Sequence, residues 1–127
     1  VIDSQDAIIG NPAYDLVSLI DDVRIKTSKE LKKKIYEYYM TKTSKVYKNN
    51  SDKFQEDFNI LSVQRSLKII GIFSRLFKRD KKKQYLKFIP YTWHLLEMRM
   101  KSKIFFEIKK ILDLSISKKN RKKNLIK

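Results

Sequence analysis

The sequence predicts a mainly α-helical domain: five helices, with a short β element at the start of the chain. Three observations carry this reading. Gly and Pro together occupy only four of the 127 positions, so little interrupts helical order. Hydrophobic residues make up 42% of the chain, enough for a modest core in one domain. The stretch from Phe54 to Phe77 repeats apolar residues at spacings of three and four, the period of a helix with a wide buried stripe.

The elements follow in order. Val1 and Ile2 before Asp3 read as a strand end, Asp3 to Asp6 as an acidic turn, and residues 7–9 as a second short strand. Gly10, Asn11 and Pro12 form a breaker cluster. A helix is expected over residues 13–24, with Tyr14, Leu16, Val17, Leu19 and Ile20 on its apolar side. Thr27 or Ser28 caps the next helix, with Glu30 placed for a capping box if Thr27 is the cap. Leu31, Ile35, Tyr38, Tyr39 and Val46 share one side of it.

Asn49, Asn50 and Ser51 end that helix, and Ser51 or Asp52 caps the long third one. Its apolar rows are Phe54, Phe58 and Leu61 with Arg65, and Ile60, Val63, Leu67, Ile70, Phe73 and Phe77. Gly71 in its interior costs roughly 1 kcal/mol against Ala, which predicts a close helix contact there. Residues 78–83 read as a charged turn. Pro90 starts a fresh helix at its first turn, and Trp93, Leu96 and Met100 share a face. The last helix covers about residues 102–115 with Ile104, Ile108, Ile111 and Leu112 inward. These elements make one unit over residues 1–116, followed by a basic tail, 117–127, that is expected to fray.

Charge and composition bound the function. The formal net charge is +16, which raises a nucleic-acid-binding reading. Yet Asp3, Asp6, Asp15, Asp21 and Asp22 face Arg24 alone in residues 1–24, so the positive charge is confined to the rest. Lys also outnumbers Arg by 24 to 6, and Lys is the solvated, weakly specifying cation. The balance disfavours nucleic acid as partner. No apolar run is long enough to cross a membrane, and no basic-then-apolar leader is visible. The absence of cysteine fits a reducing, cytoplasmic setting. A chain that opens on Val and enters a strand at once predicts a further upstream part.

The chemistry sits at the N-terminus. A carboxylate leaving a strand into a turn, as Asp3 does, presents itself to a divalent cation while the strand fixes its position. The turn alone is a weak signal. The longer string is more specific: Val1, Ile2, Asp3, Ser4, Gln5, Asp6 and Ala7, then Gly10, Asn11, Pro12, Tyr14, Asp15, Leu16, Ser18 and Leu19. It resembles the motif of aminoglycoside-phosphotransferase-like kinases, and within them the branch of N-acetylmuramate/N-acetylglucosamine sugar kinases of cell-wall recycling. A second block is similar to the same branch: Gln64, Arg65, Leu67, Lys68, Gly71, Phe73, Arg75, Leu76, Arg79, Asp80, Lys83, Tyr85, Leu86 and Pro90.

The resemblance implies the C-terminal helical lobe of a protein-kinase-like α+β fold, with ATP and Mg²⁺ as cofactors and an amino sugar as acceptor. It implies that Asp3 holds Mg²⁺ against the nucleotide phosphates, because phosphoryl transfer needs cation on the developing charge. Asp6 stands either with the metal or as a turn-capping side chain. Asp15 matches the Asp that supports the catalytic loop of such kinases. Gln64, Arg65 and Lys68, polar on an apolar helix, are candidates for acceptor contacts, with a structural ion pair to Asp80 or Asp57 as the alternative. Trp93 with Tyr91 stacks a sugar or, more simply, packs the core.

The sequence departs from the family in places. Ser4 stands where an aromatic follows the metal Asp, and Asn11 shifts the usual Gly-Pro pair. No His-x-Asp-x-x-x-x-Asn string is present, so the catalytic base is expected upstream; His94, the single His, reads as a helix-surface residue. The nucleotide lobe is missing too, which predicts an inactive isolated chain with exposed apolar surface. Two other readings stay open: a kinase for a different hydroxylated acceptor (aminoglycoside, choline or homoserine-like), and a basic helical nucleic-acid-binding module.

Overall fold

The structure, a computed structural model, describes residues 10–43 and 50–125. Among them every regular element is helical. The predicted β element, with Asp3 and Asp6, lies outside the described residues.

Helix α1, Ala13–Ile20, is started by Asn11, whose Oδ1 accepts from the Ala13 N–H at 2.9 Å while its Nδ2 donates to Asp57 at 2.9 Å. Ala13, Leu16, Val17 and Ile20 recur at three- and four-residue spacing and are buried. Tyr14 and Leu19, expected on the apolar side, are exposed. The helix ends at Ile20, four residues short of the expected boundary, because the Asp21 side chain turns inward.

Helix α2, Lys29–Lys42, is capped by Ser28, whose hydroxyl accepts from the Leu31 N–H at 3.1 Å. Its buried side differs from the expected one. Ile35, Tyr36, Tyr39 and Met40 pack on the core and Lys32 is buried, whereas Leu31 and Tyr38 are exposed. The helix is rotated because Lys32 is drawn to a carboxylate, and that interaction outweighs burial of one Leu. Val46 lies outside the described residues.

Helix α3, Ser51–Asp80, starts after Asn50 and spans both halves of the molecule. Phe54 and Phe58 join α1 and α2 in a smaller core with Ala13, Leu16, Val17 and Ile20. Val63 and Phe73 belong to a larger core with Val23, Leu86, Ile89, Trp93, Leu95 and Leu96. Ile60 and Phe77, counted in the apolar rows, are exposed. Gly71 is exposed, and a Cβ there would meet nothing within 4 Å. Among the described residues the predicted close contact at Gly71 is absent. The charged residues 78–80 stay helical, and Lys81 ends the helix in the left-handed region at φ 57°.

A 3₁₀ helix, Lys83–Phe88, leads into α4, Ile89–Arg99, with Pro90 in its first turn as expected. Trp93, Leu96 and Met100 are buried together. Ser102 then begins a 3₁₀ turn, Lys103–Phe105, continued by α5, Phe106–Ser115. Phe105 is its buried anchor; Ile104 and Ile111 are exposed, while Ile108 and Leu112 pack partly on the larger core.

The residues after Ser117 were expected to fray. In the structure Ser117 caps a single turn, α6, Lys118–Arg121, and Arg121 is buried. Its guanidinium lies 4.9 Å from the Trp93 ring centre and meets Glu97 at 3.0 Å and Asp113 at 2.8 Å. Attraction to two carboxylates and an aromatic face holds this turn against α4 and α5.

Candidate functional site

The residues singled out on α3 share one stretch but not one environment. Gln64 and Lys68, one turn apart, are exposed. Arg65 is half-buried, and its Nε is enclosed without a hydrogen-bond partner among the described residues. The ion pairs weighed for it do not form: Asp57 is bonded to Asn11 and Lys53, and Asp80 to Arg79. Asp15, in the first turn of α1, is exposed. Trp93 is a core residue with Arg121 on its face, and Tyr91 stacks at 6.0 Å on His94, which is exposed.

A different group is the best-built polar cluster among the described residues, and it centres on Asp21. Its side chain is nearly inaccessible and accepts from four donors. Arg99 reaches it with Nε at 2.8 Å and Nη2 at 3.0 Å, Ser62 Oγ at 2.6 Å and Lys32 Nζ at 3.1 Å. Lys32 also donates to the Ile20 carbonyl at the end of α1, and the Arg99 guanidinium lies 4.9 Å over the Phe58 ring. Four elements are tied at one point: the end of α1, the start of α2, the middle of α3 and the end of α4. Burial alone would raise the Asp21 carboxyl pKa. The Arg99 hydrogen bonds and charge, with Ser62 and Lys32, outweigh it and hold the group below its ordinary value.

Sequence reasoning missed this cluster, although a local clue existed. Asp21 and Asp22 sit at the C-terminal end of α1, where the helix dipole disfavours acids, and no basic residue occupies its last turn. An acid in an unfavourable local place calls for a tertiary partner. Which cations answer it, across 11 and 78 residues, no local pattern reveals.

Beside the cluster is an open cavity of about 250 Å³ lined by Lys29, Lys32, Lys33, Tyr36, Gln55 and Arg99 over Ile20, Phe58 and Met98. Among the described residues no carboxylate lines it. Burial raises the Tyr36 hydroxyl pKa, with the Arg99 charge acting against it. Among the described residues no three acidic or histidine side chains converge as a metal site. No described helix is long and apolar enough to cross a membrane.

Comparison with known proteins gives the kinship. The chain is 30% identical over 113 residues to an N-acetylmuramate/N-acetylglucosamine kinase of Caulobacter vibrioides, covering 89% of this chain and 30% of the relative. It is 39% identical over 93 residues to the kinase of the same name from Neisseria meningitidis, covering 71% of this chain and 28% of that protein. This chain is a homologue of the N-acetylmuramate/N-acetylglucosamine kinases. A third such kinase, from Pseudomonas aeruginosa, is 34% identical over 101 residues. The chain spans about 30% of the length of these kinases. No family model and no solved structure matches it. A matched stretch of 113 residues within 127 necessarily includes residues 15–113. Asp15, Asp21, Lys32, Ser62, Gln64, Arg65, Lys68 and Arg99 therefore all lie within the segment shared with the Caulobacter kinase.

Proposed function

We propose that this chain is the C-terminal helical lobe of an ATP-dependent kinase whose acceptor is an amino sugar. The observation that carries this is identity of 30–39% with N-acetylmuramate/N-acetylglucosamine kinases over 71–89% of the chain. In this reading Asp3 holds Mg²⁺, which when bound neutralises charge on the transferred phosphoryl group. Asp6 either joins the metal site or caps the turn, and Asp15, exposed on α1, supports the catalytic loop. Gln64, Arg65 and Lys68 contact the acceptor. The enclosed, unpartnered Nε of Arg65 supports that role, since a buried guanidinium nitrogen without an acceptor is costly. The setting is cytoplasmic.

The 127 residues hold no His-x-Asp-x-x-x-x-Asn string and no nucleotide lobe, so the isolated chain has no turnover. A chimera tests the reading: this chain replaces the matching segment of the Caulobacter kinase. We expect ATP-dependent phosphorylation of N-acetylmuramate or N-acetylglucosamine, lost by about 100-fold or more in Asp3→Asn. A folded chimera active only on aminoglycosides, choline or homoserine would replace the acceptor class. ATP-dependent turnover by the isolated chain would refute its inactivity.

A further inference from the structure

The cavity beside Asp21 has a charge balance that its own walls do not settle. Asp21, Lys32 and Arg99 are two cations against one carboxylate, and the Arg99 and Lys32 side chains are only 17% and 7% exposed. An excess positive charge that water reaches only in part favours an anion beside it. Arg99 uses Nε and Nη2 on Asp21; its third nitrogen, Nη1, has no hydrogen bond among the described residues. Lys32 has three donors and uses two, on Asp21 and the Ile20 carbonyl. Both side chains line the cavity, joined at its rim by Lys29 and Lys33. Among the described residues Lys33 pairs with Glu37 at 3.8 Å, and since both side chains are largely in solvent this pair does little to offset the charge in the cavity.

We propose that this cavity is an anion site, taking the carboxylate or phosphate of a small ligand on Arg99 Nη1 and Lys32 Nζ. Asp21 positions both cations: its bidentate bond fixes the guanidinium plane, and Phe58 supports that plane from beneath. Tyr36 and Gln55 offer neutral polar groups to the rest of the ligand, and Ile20, Phe58 and Met98 an apolar floor. The source of the anion rests on the amino-sugar reading. N-acetylmuramate carries a carboxylate on its lactyl ether and N-acetylglucosamine does not, so the site selects between the two sugars in the relatives' name.

Calorimetric titration of the 127-residue chain at low ionic strength, with N-acetylmuramate, N-acetylglucosamine and inorganic phosphate, tests this. The anion site predicts N-acetylmuramate binding about 10- to 100-fold tighter than N-acetylglucosamine, the worth of one charge-assisted contact. Lys29→Gln with Lys33→Gln, both exposed positions, should weaken anion binding about threefold to fivefold without shifting the unfolding midpoint. Phosphate binding with neither sugar bound supports the anion site and counts against the amino-sugar acceptor. Equal binding of both sugars without phosphate supports the acceptor and overturns the anion site. No binding of either anion, or anion binding unchanged in the double variant, overturns it as well.

Discussion

Two buried charge clusters stand out among the described residues, and they are wired in opposite senses. Asp21 is an acid surrounded by cations, at the seam where α1, α2, α3 and α4 meet. Arg121 is a cation surrounded by acids, at the outer edge of the larger core. Each has a guanidinium 4.9 Å over an aromatic ring, Phe58 in one case and Trp93 in the other. The difference lies in the partners. Those of Asp21 are themselves largely buried, whereas the Glu97 and Asp113 side chains are each 37% exposed. An exposed partner left alone is rehydrated; a buried one is stranded. Asp21 also has every donor well placed, while Arg121 Nε is enclosed with no acceptor among the described residues.

The largest effect should come from Asp21→Asn. It leaves Lys32 and Arg99 buried without a counter-charge and should cost roughly 3–5 kcal/mol in urea unfolding. A loss below about 1 kcal/mol would remove the contrast with Arg121. Acid titration reaches the same group without mutation. The folded-state pKa of Asp21 is depressed, so its contribution is present at pH above the unfolded carboxyl value and is lost as pH falls through the folded one. The thermal midpoint should drop across that acid range, and Asp21→Asn should flatten this part of the profile.

Arg121→Met keeps the stem on Trp93 and frees two acids that water can reach. About 1 kcal/mol is expected, with the 25–100 region keeping its amide protection in hydrogen exchange. An equal loss in both variants would mean that the outer turn is as deeply coupled as the seam. The smallest effect is a gain. Gly71 is an exposed helix-interior glycine with open space at its Cβ, so Gly71→Ala should add roughly 0.5–1 kcal/mol. Because α3 runs through both cores, that gain should appear as one shifted transition; two separated transitions would show that the cores unfold independently.

Much of the architecture was legible in the chain. The three- and four-residue spacing over Phe54 to Phe73, the breaker before Ser51 and the position of Pro90 are local signals, and the helices they predict are present. The Asp3 and Gln64 blocks carried the kinase resemblance that the relatives' names share. What failed was facing: the sides of α1 and α2, the space around Gly71 and the anchoring of Arg121. Each depends on a partner far away in sequence.

Asp15, Gln64, Arg65 and Lys68 were visible as polar residues in informative patterns, but the cavity beside Arg99 was not. Sequence by itself determined where helices begin and end to within a few residues, because capping, breakers and apolar period act over one or two turns. Only the tertiary structure decided that Asp21, Lys32, Ser62 and Arg99 form one buried cluster. A charge enters a core only when its counter-charges arrive with it, and that condition is set by the packing of four helices rather than by any one segment.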